Sequence, residues 1–254
     1  MYEESIRDEF THQTESFARS PVATRADTLD ALVAMAPADP AARWLEVACG
    51  PGLISRALAG RVGSVHGVDL TPSMVEKAAA EARREGIENA DFALGDATAL
   101  DFEDASFDGA ITRFSFHHIP GPRRVLEEMA RVVRPGGFVI VADHLADSDR
   151  DACAWAGEIE RLRDPSHWSC LTEEWFRTTG AAVGLELEES TVDPLEIDFE
   201  DWLARGSGAA VAAPLIERLL TEPPPRAGAF RVDGEPGAPR TLRLLFLACR
   251  WSRP

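Results

Sequence analysis

The chain has 254 residues, with 43 Asp and Glu against 26 Lys and Arg and a formal net charge of −17. This excess of negative charge repels phosphate backbones and anionic lipid surfaces, so nucleic acid and membrane surfaces are excluded as expected partners. The length fits a single α/β domain. The scattered cysteines have no paired zinc spacing and no disulfide framework, which predicts free thiols in a reducing compartment: Cys49, Cys153, Cys170 and Cys249.

The N-terminus gives no sign of a targeting segment. Residues 1–17 mix charged and aromatic side chains and lack the basic start and apolar stretch of a signal peptide. No segment is apolar for long enough to cross a bilayer. We therefore expect a cytoplasmic protein with no integral membrane association.

Apolar runs alternate with helical patterns from residue 43 onward. The first run, Trp44 to Val47, leads into a glycine turn and a helix that contains residues 53–58. The second run, residues 65–70, precedes Thr71-Pro72, which is typical of an N-cap and first-turn proline, and that helix ends at Gly86. Two consecutive βα units follow from this order.

Three more strands are predicted, at Ala90 to Leu94, Phe107 to Phe114 and Phe138 to Ala142. The helix before the last of them is expected to stop at Pro135-Gly136-Gly137. Strands that alternate with amphipathic helices indicate a parallel sheet covered on both faces.

The regular pattern weakens after Asp143. Residues 145–182 are predicted to be largely helical and to form a cap near the carboxyl edge of the sheet. Further strands are expected at Gly184 to Glu188 and at Leu242 to Trp251. The Pro- and Gly-rich segment between them is predicted to be a loop.

The loop after the first strand carries the first informative motif. It reads Glu46-Val-Ala-Cys-Gly50-Pro-Gly52, in which small residues let the backbone approach a ligand and the next helix presents free N–H groups. A dinucleotide fingerprint would have glycine or alanine three residues after Gly52, where Ser55 stands. Glu46 can hold a cationic amine, so the loop favours a cofactor bearing an amino acid over one bearing a pyrophosphate.

Carboxylates also follow the second and third strands. Asp69 can accept hydrogen bonds from both ribose hydroxyls, and its alternative role is as a negative charge at the start of a helix that Thr71 already caps. Asp96, in Gly95-Asp96-Ala97, can accept from the exocyclic amine of adenine. Ligands of open α/β sheets bind beyond the carboxyl ends of the strands, so the three loops predict one site for amino acid, ribose and adenine.

These motifs resemble those of class I S-adenosylmethionine-dependent methyltransferases, in particular the group related to ubiquinone and menaquinone biosynthesis. The resemblance covers residues 8–145 well and later residues in outline. Its motifs are Glu46-x-Ala48-x-Gly50-x-Gly52, Gly67-Val-Asp69, Gly95-Asp96-Ala97, Phe114-Ser-Phe-His117-His118 and Leu126-x-x-Met-x-Arg131-Val-Val-Arg134-Pro-Gly-Gly137. One departure is Ala48, where the family often has glycine; alanine still permits a close approach.

The resemblance implies an α/β fold with a doubly wound, mostly parallel seven-stranded sheet of the Rossmann-like type. Its antiparallel last strand would be Leu242 to Trp251. The single methyltransferase domain would comprise an N-terminal helical lid over 1–40, a cofactor-binding core over 41–144, an inserted helical cap over 145–182 and C-terminal strands over 183–254.

The cofactor implied by the resemblance is S-adenosylmethionine, with S-adenosylhomocysteine as product. The glycine loop would surround the methionine moiety, Asp69 the ribose, and Asp96 with the backbone of Ala97 the adenine, against whose face Leu70 would pack. Arg113 could pair with the cofactor carboxylate or a substrate acid, with an exposed surface arginine as an equal alternative. The expected cofactor-binding residues are Glu46, Ala48, Gly50, Gly52, Asp69, Leu70, Asp96, Ala97 and Arg113.

A lid over this site is expected at Phe10 to Pro21, because relatives close the cofactor site with such a segment. Phe10 and Phe17 lie at helical spacing and would form its inward face, with Phe17 as a substrate contact. The alternative is that both rings only pack on the core.

Methyl transfer is an in-line displacement at a carbon activated by a sulfonium, so the protein mainly aligns the reactants and excludes water. A base is needed only when the acceptor must lose a proton. The candidate catalytic residues are His117, His118 and His144, each with packing or a structural hydrogen bond as its alternative. Because adjacent strand residues point to opposite sides, Asp143 and His144 are not expected to form an Asp–His relay.

Two residues of the cap, His167 and Trp168, are candidates for lining the acceptor pocket. Packing beneath the cap is the favoured alternative for Trp168. The run Asp147-x-Asp149-x-Asp151 lacks the glycine and distal glutamate of a calcium site, which favours a solvated acidic turn. No metal is expected.

The sequence thus predicts a monomeric or homodimeric methyltransferase that modifies oxygen, nitrogen or carbon of a small-molecule metabolite. Two alternatives stay open: an enzyme of the same fold that uses the cofactor for another reaction, and a non-catalytic cofactor-binding module. A nicotinamide-dependent dehydrogenase is disfavoured by Ser55 and by the Gly95-Asp96-Ala97 loop.

Overall fold

Strands and helices alternate through the first half of the chain in this computed structural model, which describes residues 2–20 and 24–254. Within them the strands are β1 (Asp39–Val47), β2 (Val62–Asp69), β3 (Ala90–Leu94), β4 (Phe107–Arg113), β5 (Val133–His144), β6 (Glu186–Asp198), β7 (Phe230–Asp233) and β8 (Thr241–Ser252). The helices are α1 (Tyr2–Ala18), α2 (Ala26–Ala34), α3 (Leu53–Ala59), α4 (Pro72–Glu85), α5 (Pro122–Val132), α6 (Arg150–Arg163), α7 (Glu173–Ala182), α8 (Phe199–Arg205) and α9 (Ala209–Leu220), with a 3-10 turn at Phe116–His118. The predicted end of the lid, Pro21, lies outside the described residues.

The sheet has the strand order β3-β2-β1-β4-β5-β8-β6. The first five strands run parallel, and β8 is antiparallel to both β5 and β6. The expected doubly wound, mostly parallel sheet with an antiparallel last strand is confirmed, and the short β7, which pairs with β8, adds an eighth strand. The strand order reverses between β1 and β4, where such sheets leave a crevice for a ligand.

Hydrophobic cores form on both faces of the sheet because the central strands are apolar on both sides. Trp44 and Leu45 are neighbours in β1 and are almost fully buried, yet they belong to two different clusters. Successive side chains of a strand point to opposite faces, so one strand contributes to both cores. This burial fixes the strand ends that carry the site.

One helix boundary differs from the expectation. α5 ends at Val132, and Pro135-Gly136-Gly137 lies inside β5 instead of separating helix from strand. The strand register against β4 shifts between Phe107 and Gly109, which accommodates the extra residues as a bulge.

The prediction that a loop connects the two late strands is wrong. That segment contains most of β6, both α8 and α9, and β7. β6 is an edge strand whose first nine residues are all exposed, so most of it lacks the alternation that identifies a half-buried strand. Asp198 caps the N-terminus of α8, since its side chain accepts from the Asp201 N–H at 2.8 Å, and the helix buries Phe199 and Trp202.

The segment 145–182 holds α6 and α7, as its helical pattern indicated. All four cysteines are free. Among the described residues, no helix is both long and apolar enough to cross a membrane.

Candidate active site

A cavity of about 270 Å³ opens at the carboxyl ends of β1 to β4. Its floor is formed by residues of the strand-end loops, and Ile6, Phe10 and Phe17 of α1 line its opposite side. Most of the expected cofactor residues line this cavity: Glu46, Ala48, Gly50, Asp69, Leu70, Asp96, Ala97 and Arg113.

The loop after β1 turns through left-handed backbone conformations. Ala48, Gly50 and Gly52 have φ angles of 52°, 51° and 72°. A Cβ at Gly50 would meet no atom within 4 Å, so this residue leaves backbone exposed to the cavity. At Gly52 a Cβ would lie 2.8 Å from the Phe92 ring and 2.9 Å from the Ala78 methyl, so Gly52 permits close packing of α3 rather than lining the cavity.

Glu46 is held in place by the first turn of α3. Its Oε2 accepts the backbone N–H of Ser55 at 2.7 Å and also the Ser55 hydroxyl. The side chain is buried, and burial raises the pKa of Glu46 to about 7, although Ser55 and Arg113 oppose that shift. Sequence reasoning missed the role of Ser55, which it used only to argue against a dinucleotide site.

Arg113 lies at the end of β4 with 9% of its surface exposed, so the alternative of a surface arginine is wrong. Burial lowers its pKa to about 10, and the nearby Glu46 carboxylate opposes the shift. The next residue, Phe114, has a φ of 54°, and the Arg113 guanidinium lies 5.1 Å from its ring centroid. The cavity therefore contains one buried cation beside a buried carboxyl group.

Asp69 links the first two strand-end loops. Its Oδ2 accepts the Gly50 N–H at 2.8 Å and its Oδ1 accepts the Thr71 N–H at 2.9 Å. Burial raises the pKa of Asp69, while these N–H donors act against the shift. Asp96 is fixed similarly, with the N–H and hydroxyl of Thr98 donating to its Oδ1, each at 2.8 Å.

His118 is the candidate catalytic histidine that lines the cavity. Its Nδ1 lies 3.0 Å from the Ser166 hydroxyl oxygen, and that hydroxyl donates to Asp164 Oδ1 at 2.6 Å. Burial lowers the pKa of His118, with Asp164 opposing. With the Nδ1 proton donated to Ser166, Nε2 carries the free lone pair of a neutral base.

The other candidate histidines lie outside this cavity. His117, His144 and His167 form a buried group around Asp143, whose Oδ1 lies 2.6 Å from His117 Nδ1 and 3.3 Å from His144 Nδ1. The side chains of Asp143 and His144, which were expected on opposite sides of the strand, approach each other instead. β5 ends at His144, and the Asp143 carboxylate folds back to accept the His144 backbone N–H at 2.8 Å, so the alternation of a continuing strand does not apply.

The buried group around Asp143 shifts the pKa values of its own side chains. Burial lowers the pKa of His117 to about 3, while Asp143 acts in the opposite direction. Burial alone would raise the pKa of Asp143, but His117 and His144 outweigh it and keep this carboxyl ionised.

α1 is attached to both the core and the cap. The hydroxyls of Thr14 and Ser73 are 2.9 Å apart, which joins α1 to α4. On the cap side, Gln13 Nε2 donates to Asp164 Oδ2 at 3.0 Å. Phe10 meets the His118 ring edge to face, with centroids 4.8 Å apart. The helix therefore covers the cavity with its apolar face.

Two expectations for the cap need correction. Trp168 is 49% exposed, so it does not pack beneath the cap, and it does not line the cavity. The acidic run is not simply solvated. Asp147 accepts the N–H groups of Gly228 and Ala229, and Asp149 caps α6 by accepting from Ala152 N at 3.1 Å.

Comparison with known proteins agrees with this geometry. Residues 45–141 match the family described as methyltransferase domain. The chain is 30% identical over 201 residues, 79% of each protein, to the uncharacterised methyltransferase YcgJ of Bacillus subtilis, whose crystal structure superposes with a TM-score of 0.84 over 90% of this chain and 99% of that one.

Two further relatives extend the comparison. A putative methyltransferase of Bacillus halodurans is 25% identical and has a TM-score of 0.84, covering 90% of this chain and 99% of its own. The 2-methyl-6-phytyl-1,4-hydroquinone methyltransferase of Synechocystis is 34% identical over 65% of this chain and 53% of its own length. The chain belongs to the class I S-adenosylmethionine-dependent methyltransferases.

Proposed function

We propose that the protein methylates a hydroxyl group of a small, largely apolar molecule. The observation that carries this proposal is a single cavity that joins the strand-end loops to an apolar wall, with His118 at the junction. The loops supply the cofactor side of the cavity, and α1 with the 3-10 turn supplies the acceptor side.

The residues present on the cofactor side fit S-adenosylmethionine. When bound, this cofactor supplies a methyl group on a positively charged sulfur that is open to in-line attack. Glu46 would accept from its ammonium group, and Arg113 would pair with its carboxylate. The exposed backbone at Gly50 leaves room for the chain between them.

The nucleoside would be held by the next two loops. Asp69 keeps its carboxylate fixed by two backbone N–H groups and would accept from the ribose hydroxyls. Asp96 would accept from the adenine amine, with Leu70 against the ring. These residues would bind and orient the cofactor without forming or breaking covalent bonds.

The acceptor side supports a small molecule. Ile6, Phe10, Phe17 and Ile119 line it, so an apolar or aromatic skeleton would displace water there. The attached α1 leaves a cavity rather than an open groove, which suits a metabolite better than a folded protein or a nucleic acid. The Synechocystis relative is named for a hydroquinone substrate, which also supports an aromatic acceptor.

His118 would act as the base for this hydroxyl. Its Nε2 would take the acceptor proton, and the resulting imidazolium would keep its Nδ1–H directed to Ser166, which in turn donates to the Asp164 carboxylate. Asp164 thereby stabilises the charge that develops on the ring. Ser166 and Asp164 are positioning residues in this arrangement.

The proposal is tested by incubating the protein with radiolabelled S-adenosylmethionine and a panel of hydroquinones, phenols and hydroxylated polyketides. A protein extract and total RNA serve as macromolecular acceptors in parallel. We expect label in a small aromatic ether, with S-adenosylhomocysteine formed in equal amount. Label in protein or RNA, or on nitrogen or carbon only, would contradict the proposal.

The matched variant is His118→Gln, which should lower the rate by roughly 100-fold or more if the histidine supplies general-base catalysis. The affinity for S-adenosylhomocysteine should change little. Undiminished turnover by the His118→Gln protein would show that His118 is not the general base.

A further inference from the structure

Four buried side chains converge behind the cofactor cavity. His117 lies in the 3-10 turn, His144 ends β5, Glu160 lies on α6, and His167 follows that helix. Each of the four is at most 7% exposed, and none of them lines the cofactor cavity. We call these four side chains the histidine cluster.

The three imidazoles are close enough to share one ion. One nitrogen from each of His117, His144 and His167 lies within 4.8 Å of the others. Tetrahedral Zn²⁺ with bonds of about 2.1 Å places its ligand atoms roughly 3.4 Å apart. Side-chain movements on the order of 1 Å would therefore close the cluster around a metal.

Glu160 lies beside two of the three imidazoles. Its Oε1 lies 3.6 Å from His144 Nε2, and its Oε2 lies 3.9 Å from His167 Nδ1. These separations are longer than hydrogen bonds. They suit two ligands that meet through a shared cation.

The cluster also leaves buried polar atoms without hydrogen bonds. Within the described part of the chain, His144 Nε2, His167 Nε2 and Glu160 Oε1 have no hydrogen-bond partner. Folded proteins rarely bury such atoms without partners, and a bound metal ion is one way to satisfy them. Three such atoms close together are suited to bind one common ion.

Asp143 orients two of the imidazoles. Its Oδ1 lies 2.6 Å from His117 Nδ1 and 3.3 Å from His144 Nδ1, so one carboxylate faces the Nδ1 side of both rings. Metal-binding histidines commonly donate their second ring N–H to a carboxylate in this way, which leaves Nε2 for the metal. Asp143 is therefore suited to orient the imidazole ligands without binding the metal itself.

A second cavity gives access to the cluster. It encloses about 180 Å³ and is lined by His144, Glu160 and Cys170 among others. An ion could enter from this side without passing through the cofactor cavity. The requirement for an entry path is thus satisfied.

We infer that the histidine cluster is a structural site for a divalent transition metal of the Zn²⁺ type, bound by His117, His144, His167 and Glu160. Imidazole and carboxylate ligands suit Zn²⁺, and a site closed by four protein ligands is typical of a structural metal. The sequence predicted no metal here because the ligands come from three distant segments with no motif spacing.

The site would fix the 3-10 turn that carries His118. The rings of His117 and His118 are 4.1 Å apart, and the backbone N–H of Trp168 donates to the His117 carbonyl at 2.8 Å. A metal that joins this turn to β5, α6 and the following loop would hold the acceptor side of the cavity in one arrangement. This role is independent of the proposed hydroxyl acceptor.

The experiment uses the full chain without a histidine tag, stripped with a chelator and titrated with Zn²⁺ by calorimetry. We expect one ion per chain and a rise in the melting temperature. With Co²⁺ in place of Zn²⁺, the intense visible absorption of a tetrahedral site is expected. Failure of the wild-type protein to bind either ion would overturn the inference and leave the cluster as an ion-paired network.

Two variants locate the site. His144→Gln and His167→Gln should each weaken Zn²⁺ binding by at least tenfold and remove the tetrahedral Co²⁺ spectrum, whereas His66→Gln, on β2, should bind as the wild type does. Asp143→Asn should keep the stoichiometry and weaken affinity by about 10- to 100-fold. Circular dichroism of the stripped proteins separates loss of binding from loss of folding. Zn²⁺ bound equally well by a folded His144→Gln protein would place the metal elsewhere and contradict the inference.

Discussion

Ser55 donates both its backbone N–H, at 2.7 Å, and its hydroxyl to the same carboxylate oxygen of Glu46. The contact ties the end of β1 to the first turn of α3 and keeps a buried carboxyl group in one orientation. All hydrogen bonds found for Glu46 in the described residues are made through Oε2, so Oε1 is left for a ligand. Burial nevertheless makes the ionised form of Glu46 unfavourable, which affects both the stability of the protein and its binding of the cofactor.

The first prediction concerns the stability of the protein without cofactor. The pKa of Glu46 is raised to about 7 in the folded state, so the folded protein holds this proton more tightly than the unfolded chain does. The contribution of the group to stability is fully present below the unfolded pKa of about 4.3 and is lost as the pH rises through 7. Glu46→Gln, which keeps an acceptor for Ser55, should therefore stabilise the protein at pH 8, by on the order of 3 kcal/mol.

Urea unfolding at pH 8 and pH 5 measures this effect, which should be much smaller at the lower pH. Glu76→Gln, on the exposed side of α4, provides the control and should change stability little at either pH. A Glu46→Gln protein that is less stable than the wild type at pH 8 would show that Glu46 stabilises the fold directly.

The second prediction concerns binding of S-adenosylmethionine. The proposed contact to the cofactor ammonium needs an ionised Glu46, so wild-type affinity should rise with pH, by up to about tenfold per pH unit below the pKa. The Glu46→Gln protein should bind more weakly and lose this pH dependence. Calorimetry at pH 6 and pH 8 checks both points. Parallel pH profiles for the two proteins would mean that another group controls binding.

Asp69 should contribute more to cofactor affinity than His118 does. Loss of two hydrogen bonds to a charged acceptor, each worth about 1.5–3 kcal/mol, predicts that Asp69→Ala weakens S-adenosylhomocysteine binding by roughly 100-fold or more. His118→Ala, on the acceptor side, should have a small effect. Asp69→Asn, which can still accept from Thr71, controls for disruption of the loop. The opposite order of effects would reverse the division between cofactor and acceptor residues.

Ala48 should tolerate glycine. At its φ of 52°, a residue with a side chain is strained by about 1 kcal/mol or more relative to glycine. Glycine removes this strain, and the gain offsets the greater conformational entropy that glycine gives the unfolded chain. Ala48→Gly should therefore leave the free energy of unfolding unchanged or slightly higher. Ala80→Gly, at an exposed position inside α4, should lose about 1 kcal/mol. Equal losses in the two variants, measured by thermal unfolding, would show that the Ala48 backbone is not strained.

The first five strands could be predicted because each contains a short cluster of apolar residues between turn residues, in regular alternation with helical patterns. That pattern also identified Asp69, the last residue of β2, and Asp96, which follows β3, since a carboxylate at the end of a parallel strand lies at the edge of the sheet where ligands bind. β6 was missed beyond its first residues because an exposed edge strand can carry acidic side chains on its open face. Its pairing with β8 is a long-range contact that local sequence does not encode.

The remaining part of the site depends on contacts between distant segments. The arrangement of His118, Ser166 and Asp164 joins residues 48 and 46 positions apart, and the histidine cluster joins three segments. Single-sequence patterns report local geometry and burial, so they identified these histidines as candidates without showing which of them face the cavity. The signal that could have been used is the polar run Arg163-Asp164-Pro165-Ser166-His167 directly after an amphipathic helix.

The most direct test of the proposed division of the cavity is a crystal structure of the protein with S-adenosylhomocysteine. We expect the ribose hydroxyls on the Asp69 carboxylate, the amino group at Glu46, the adenine between Leu70 and Asp96, and the sulfur directed toward the His118 side of the cavity. A ligand bound outside this cavity, or one with its adenine at Glu46 and its amino group at Asp96, would contradict the account.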